Sequence, residues 1–453
     1  MREVIVSEVI AKSKFNSFFR NVFVICFLTA ICEGYNINVF SLVIPSIMKD
    51  WNLGPAEIGT LGAWSMGGMI FGSLFFGPLS DKIGKAKSLI MGTAIFVVFT
   101  VAVGFTQSFN QFAACRFIAG IGLAGIWPLL MAHTSEYSPK AIRGRLIVWV
   151  SSGMAIGTIV AVLTGLAIID PSSSSSWRPM FFVTAIPILL IIAQFFLPES
   201  LNFLMVNGKK EKIAKILSDA NPEFTPQPDD NYTMDAFNKT KASFGSLFQK
   251  GMAKNTILFW IMFFINYVFT YGVLIWLPNL MIKAGFSLSS SLLFTLDWNA
   301  GFILGVPLLG RMSDKKGGKF TLIFALVTLA VFTALISIVG KNNILLTIVL
   351  FLAGSAQHGI NGVAGSYMSQ NYPLSFRGFG AGWSFGIGRI GGTVGPLIGG
   401  MLLANNVPVE TDFLFFAAIL IISIIAVSFT TDYTRNPQAI NQISSNTQAM
   451  NQK

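Results

Sequence analysis

Charge is what this chain has least of. Only 11% of its 453 residues are Asp, Glu, Lys or Arg, where a soluble domain carries roughly 25%. Hydrophobic residues make up 53%, and the mean hydropathy is +0.66. That excludes an ordinary water-facing surface and leaves one that faces lipid, with 43 glycines to let helices approach closely inside it. Cysteine and histidine are almost as scarce. Cys26, Cys32, Cys115, His133 and His358 are scattered through apolar stretches, so neither a disulfide framework nor a metal-ligand spacing exists. HExxH and Cys/His clusters are absent, which argues against an enzyme. A receptor or scaffold would need a soluble domain, and the one polar stretch, 200–254, is too small for that. No metal and no cofactor is expected. Nor is a cleavable leader: residues 1–20 are mixed polar, and the apolar run after Arg20 is too long for a signal sequence and lacks an A-x-A site.

What is abundant is long apolar runs. Twelve of roughly 20 residues, the length that crosses a bilayer core, stand at 21–45, 57–77, 88–106, 111–133, 146–169, 179–197, 255–280, 290–310, 320–339, 343–366, 381–404 and 412–430. They predict an all-α membrane protein with twelve transmembrane helices. The net charge of +11 would suit nucleic acid, so its distribution decides. With the N-terminus inside, 25 of the 31 Lys and Arg fall in cytoplasmic segments. Outside lie only Lys49, Arg178, Lys283 and Lys341, and within helices only Arg116 and Arg389. This is the positive-inside bias, and no nucleic-acid partner is expected.

The chain divides into a cytoplasmic N-terminus (1–20), six helices (21–199), a cytoplasmic linker (200–254) with a short amphipathic helix near 208–218, six more helices (255–432) and a disordered cytoplasmic tail (433–453). The two sets of six repeat. Gly77-Pro78-Leu79-Ser80-Asp81-Lys82-Ile83-Gly84-Lys85 follows helix 2, and Gly310-Arg311-Met312-Ser313-Asp314-Lys315-Lys316-Gly317 follows helix 8; Asp81 to Asp314 is an offset of 233. After helices 4 and 10 come Tyr137-Ser138-Pro139-Lys140-Ala141-Ile142-Arg143-Gly144 and Tyr372-Pro373-Leu374-Ser375-Phe376-Arg377-Gly378, where Arg143 to Arg377 is 234. Two motifs at nearly one offset describe two six-helix bundles in parallel repeat, as in transporters that rock around a midplane site.

These doubled loops resemble the major facilitator superfamily over residues 15–432. The resemblance implies a cytoplasmic gate: Asp81 faces a helix N-terminus or an arginine, Glu136 and Arg143 extend the network, and Gly77, Gly84, Lys85, Asp314 and Arg377 complete it, with Gln370 standing where the first half has Glu136.

Four charges sit deep in the runs: Glu33, Arg116, Asp297 and Arg389. Each costs several kcal/mol there unless paired or facing a cavity, so two acids and two bases predict pairing across a shared aqueous chamber. The charges do not follow the repeat, since Glu33 shifted by 233 lands on Asn266 and Arg389 shifted back by 234 on Ala155. Symmetry-breaking groups belong to a solute or ion site. Glu33-Gly34-Tyr35-Asn36 is similar to the D-G-Y-D of the aromatic acid:proton symporter family, with Asn36 in place of its second acid. Leu197-Pro198-Glu199-Ser200 with Phe203-Leu204 is similar to that family's P-E-S-x-x-F-L, which sugar porters share. The resemblance implies uptake of a small organic anion, benzoate-like or another carboxylate, with protons. Arg389 or Arg116 would hold the carboxylate in a bidentate fork, and Glu33 or Asp297 would carry the proton. Tyr35, Asn36, Tyr267, Tyr271, Trp298, His358 and Asn361 are the further candidate binding residues. A proton-coupled drug or metabolite exporter and a sugar porter remain open alternatives. A monomer in a bacterial inner membrane is expected.

Overall fold

In a bilayer core every backbone N–H and C=O must be satisfied within its own segment, which leaves helices as the solution for runs like these. The computed structural model describes residues 2–170, 172–233, 244–249, 251–373 and 377–433; the tail after 433 lies outside them. Among the described residues, eleven helices are long and apolar enough to cross a membrane: α1 (Ser17–Trp51), α2 (Pro55–Ile83), α3 (Lys85–Val103), α4 (Phe109–Glu136), α5 (Arg143–Ile168), α7 (Ala253–Lys283), α8 (Leu288–Lys316), α9 (Gly318–Val339), α10 (Asn343–Gln370), α11 (Arg377–Ala404) and α12 (Val409–Phe429). The twelfth, α6 (Arg178–Gln194), is short. The expectation of one continuous helix over 179–197 needs correcting: a 3-10 turn at Val183–Ala185 and Pro187, whose ring removes a donor, break it. A bend at Gly301 likewise divides α8 into Leu288–Ala300 and Phe302–Lys316. Several helices outrun their apolar windows, α1 most of all.

Two compact units are present. The first holds 1–39, 68–164 and 176–237; the second holds 40–67, 165–175 and 238–453. Within the first, Gly68 and Gly72 of α2 leave no room for a Cβ against Phe117 and Ile121 of α4. Within the second, Gly301 and Gly305 of α8 do the same against Phe351 and Ser355 of α10. Gly157 of α5 sits on the Ile31 carbonyl, and Gly391 of α11 on that of Phe264. Each pair keeps an offset of 233 or 234, so the repeat read in the loops runs through the helix contacts. Small residues at such crossings bring backbones together where apolar side chains gain nothing over lipid.

The second unit also contains the ends of α1 and α2 remote from the Gly-Asp loops. There Gly59 and Gly62 lie against Pro396, and Gly400 closes on Pro55. The first unit carries a small polar appendage. Strand β1 (Glu3–Ile5) pairs in parallel with β2 (Asn231–Thr233), and Arg2 donates to both carboxylate oxygens of Asp230 at 2.8 and 2.7 Å. A helix at Lys210–Ala220 turns Ile213, Leu217 and Ala220 inward, and its last carbonyls accept from Asn16. The amphipathic linker helix was legible in the sequence; the strand pair was not.

Candidate functional site

Gly84 closes α2 and opens α3 at φ 99°, ψ 158°, and Gly317 stands between α8 and α9 at φ 89°, ψ 152°. Only glycine adopts that backbone without strain, so the sequence repeat is a repeat of conformation. The side chains around the first loop form a charged knot. Glu199 Oε1 accepts from the Ala86 amide at 3.0 Å and the Ser200 amide at 2.8 Å, an anion on the first turn of α3, where orphan N–H groups and the helix dipole favour it. Its carboxylate fills the space a Cβ on Gly84 would need. Glu136 accepts from Lys85 at 2.9 Å and from the Leu201 amide at 2.7 Å. His133 Nε2 lies 2.8 Å from the Pro198 carbonyl and so must donate. The expected network is thereby redrawn. Asp81 is exposed and has no partner among the described residues; Glu199 takes the helix-terminus position expected of it. Arg143 donates to the Ser138 carbonyl rather than joining Glu136. Gly77 is exposed and open.

The second loop has the backbone without the knot. Asp314 is exposed, Gly318 packs on the Tyr367 ring, and Lys319 donates to the Ser428 and Thr430 carbonyls, both at 2.7 Å, at the end of α12. Gln370 bonds Ser366, and Arg377 begins α11 with its Nε buried.

Deeper in the first unit, Glu33 lies about 24 Å along α1, 1% exposed. Arg116 is 3% exposed and reaches Asn36 Oδ1 at 3.5 Å, and Asn36 donates to Thr100 at 2.6 Å. Glu33 and Asn36 share a face of α1, three residues apart, and both are buried. Tyr35 is elsewhere: its hydroxyl donates to the Met180 carbonyl of α6 at 2.8 Å, a structural tie and not an open ring face.

In the second unit, Asp297 is half-buried and accepts from Thr347 at 2.8 Å. Among the described residues it has no ion pair, so the expected pairing with an arginine is not seen there. Trp298 is fully buried against Phe269, a core side chain and not a stacking surface. Tyr267 and Tyr271 lie side by side on the face of α7 that meets α11. A Cβ on Gly388 would lie 3.2 Å from the Tyr267 ring, and one on Gly392 3.0 Å from that of Tyr271. The two rings stand 5.8 Å apart, and Arg389 is near enough for its charge to act on Tyr267. Asn266 bonds Asn361 at 3.2 Å. One turn toward the loop end, Phe385 meets both Phe263 and Gly365, which sets α7, α10 and α11 in register and puts Arg389 in the layer of Asn361 and Tyr267. Arg389 is about 18 Å along α11. His358 turns to α8, edge-on to Phe302. Among the described residues no group of acids, cysteines and histidines has metal-binding geometry.

The family described as Sugar (and other) transporter matches residues 21–440. The chain belongs to that family. It is therefore a multi-pass membrane transporter of the major facilitator kind, and not an enzyme. It is 31% identical over 95% of its length to the benzoate transport protein of Acinetobacter baylyi, covering 93% of that protein. It is 30% identical over 88% of its length to the gentisate transporter of Corynebacterium glutamicum, covering 84%. Among solved structures, a D-xylose–proton symporter shares the fold at TM-score 0.71 and 18% identity, over 91% of this chain and 97% of that one. The charge-based reading passed over neutral Asn266 and Thr270, which bond the α10 amides, and the helix-capping Glu199. The last was quoted in the Pro-Glu-Ser segment, but its amide partner lies 113 residues away.

Proposed function

We propose that this protein is a secondary active transporter that carries a small aromatic carboxylate inward with protons. Its polar appendage and Gly-Asp loops face the cytoplasm of a bacterial inner membrane, and a monomer does the work. The observation that carries this reading is Arg389, deep in α11 in the layer of the Tyr267–Tyr271 ring pair, where a charge calls for a polar setting. The names of the relatives point the same way. The guanidinium fork matches a carboxylate, and the tyrosine faces match an aromatic ring.

Glu33, buried beside Asn36 and Arg116, is the proton carrier, with Asp297 as second candidate. The charged knot at Gly84 and the seam at Pro396 are the two gates. An anion and a proton entering together neutralise the interior, which lowers the cost of closing one end before the other opens.

Reconstituted protein under an inward proton gradient should accumulate labelled benzoate or gentisate. Arg389→Ala should lower uptake at least 100-fold, about 3 kcal/mol by the tenfold-per-1.4 rule, with Arg389→Lys between it and wild type. Glu33→Gln should remove the stimulation by the gradient while aromatic acids still bind. Full uptake by Arg389→Ala, or export under the same gradient, would refute the assignment.

A further inference from the structure

Where α7, α9, α10 and α12 end or begin, remote from the Gly-Asp loops, the second unit holds a cavity of about 130 Å³, room for roughly four waters at about 30 Å³ each. Its lining is of two kinds. Met281, Ile336, Leu346 and Phe413 are apolar, while Lys341 and Glu410 bring one cation and one anion. The two charges do not meet, and neither side chain has an ion pair among the described residues.

Both are nevertheless placed. Ser337 donates to the Glu410 carbonyl at 2.8 Å, which ties the first turn of α12 to α9 and leaves the carboxylate to the cavity. A Cβ on Gly285 would lie 2.7 Å from Lys341 Nζ, and Gly285 stands at φ 93°, where glycine alone is unstrained. The ammonium is thus seated on bare backbone at the end of α7. Lys283, the other cation at this end, is spent on the Val407 carbonyl at 2.7 Å.

The surroundings say what the ligand is. Ile338 and Ile344, on either side of Lys341 in the chain, are 77% and 76% exposed, and Ile348 is exposed one turn further along α10. On spanning helices such side chains face hydrocarbon, and a lysine at a helix end marks where hydrocarbon gives way to water. A soluble zwitterion has no use for that apolar rim, and a lipid with only an anionic headgroup leaves Glu410 unmatched. A phosphate for Lys341 and a primary ammonium for Glu410, on a lipid whose chains run along Ile344 and Ile348, match every part. We infer that this cavity binds the headgroup of a phosphatidylethanolamine, held between Lys341 and Glu410.

The test uses the purified full-length protein in detergent, titrated with phosphatidylethanolamine, phosphatidylcholine and phosphatidylglycerol of identical chains. Native mass spectrometry reads the bound lipid and thermal unfolding its effect. Phosphatidylethanolamine should bind about tenfold more tightly than phosphatidylcholine, whose methylated nitrogen has no proton for Glu410. It should also raise the unfolding temperature, as a ligand of the folded chain does. In Glu410→Ala that tenfold ratio should fall to about one, whereas Lys341→Ala should weaken both lipids together by removing the phosphate's partner. Equal binding of the two by the wild type, or an unchanged ratio in Glu410→Ala, would overturn the inference. So would tighter binding of phosphatidylglycerol, which would show Lys341 acting alone. Glycerophosphoethanolamine, the headgroup without chains, should not compete at matched concentration; equal competition would make the site one for a soluble zwitterion and overturn the lipid assignment. None of these outcomes bears on the transport reading, which is tested by uptake.

Discussion

The two Gly-Asp loops are the same backbone dressed in different chemistry. At Gly84 the chain turns into α3 over a carboxylate, with Glu199, Glu136, Lys85 and His133 within one knot. At Gly317 it makes the same turn into α9 over an aromatic ring, and the nearby lysine caps the end of α12. Duplication preserved what the fold requires, a residue at positive φ between two helices. It did not preserve the side chains, because a helix N-terminus can be satisfied by an anion or left to water. The first loop is thus capped by a carboxylate and the second packed on a ring beside a lysine cap, and the two should respond differently to substitution.

Replacing the glycines breaks the comparison most severely. Gly84→Ala and Gly317→Ala each force a side chain into a backbone region reserved for glycine, about 1–3 kcal/mol apiece. At Gly84 the new Cβ also collides with the Glu199 carboxylate, so the cap is lost as well, roughly a further 1 kcal/mol. Thermal unfolding in one detergent should rank Gly84→Ala below Gly317→Ala, and equal losses would deny the carboxylate a structural role. A smaller effect separates the two roles of Glu136. Glu136→Ala loses the Leu201 amide bond and the Lys85 pair, about 1–2 kcal/mol. Glu136→Gln copies the second half's Gln370, keeps the amide bond and should lose only about 0.5 kcal/mol, the worth of a partly exposed pair. Should the two variants melt together, the ion pair and not the cap would be what matters there.

How much of this was legible beforehand follows from where the partners lie in sequence. The twelve runs, the positive-inside count and the doubled loops are local patterns, and the helix contacts at Gly68 and Gly301 continue the same offset. Arg389 was singled out because a charge in an apolar run is conspicuous. Gln357 and Thr270 were harder, being neutral and 87 residues apart; only the fold brings them together. Tyr35 and Trp298 were misplaced for a related reason. Each ring is one or two residues from a charged group, Glu33 or Asp297, and sequence alone does not say whether such a ring shares the charge's face or packs in the core. The strand pair of the appendage is three residues long on each side, too short for any periodicity to register.

The smallest expected effect lies in that appendage, and it sharpens the contrast between charge-held and packed regions. Arg2 donates to both oxygens of the buried Asp230, and that hydrogen bond holds the Asp230 carboxyl below its ordinary value, with the Gln227 amide adding to it. A group whose value is lower in the folded chain than in the unfolded one stabilises fully above the unfolded value, near 4 for aspartate, and loses that contribution as pH falls through the folded value. The β1–β2 pair should therefore loosen on the acid side of about pH 4, locally and without global unfolding. Amide-exchange protection at Val4 and Asn231, corrected for intrinsic rates, should fall over that range in the wild type. In Asp230→Asn it should be lower throughout and show less acid dependence, because no charge remains to be lost. A wild-type profile no steeper than the variant's would mean that packing of Val4 and Val6, both buried, holds the strand and that the ion pair merely accompanies it.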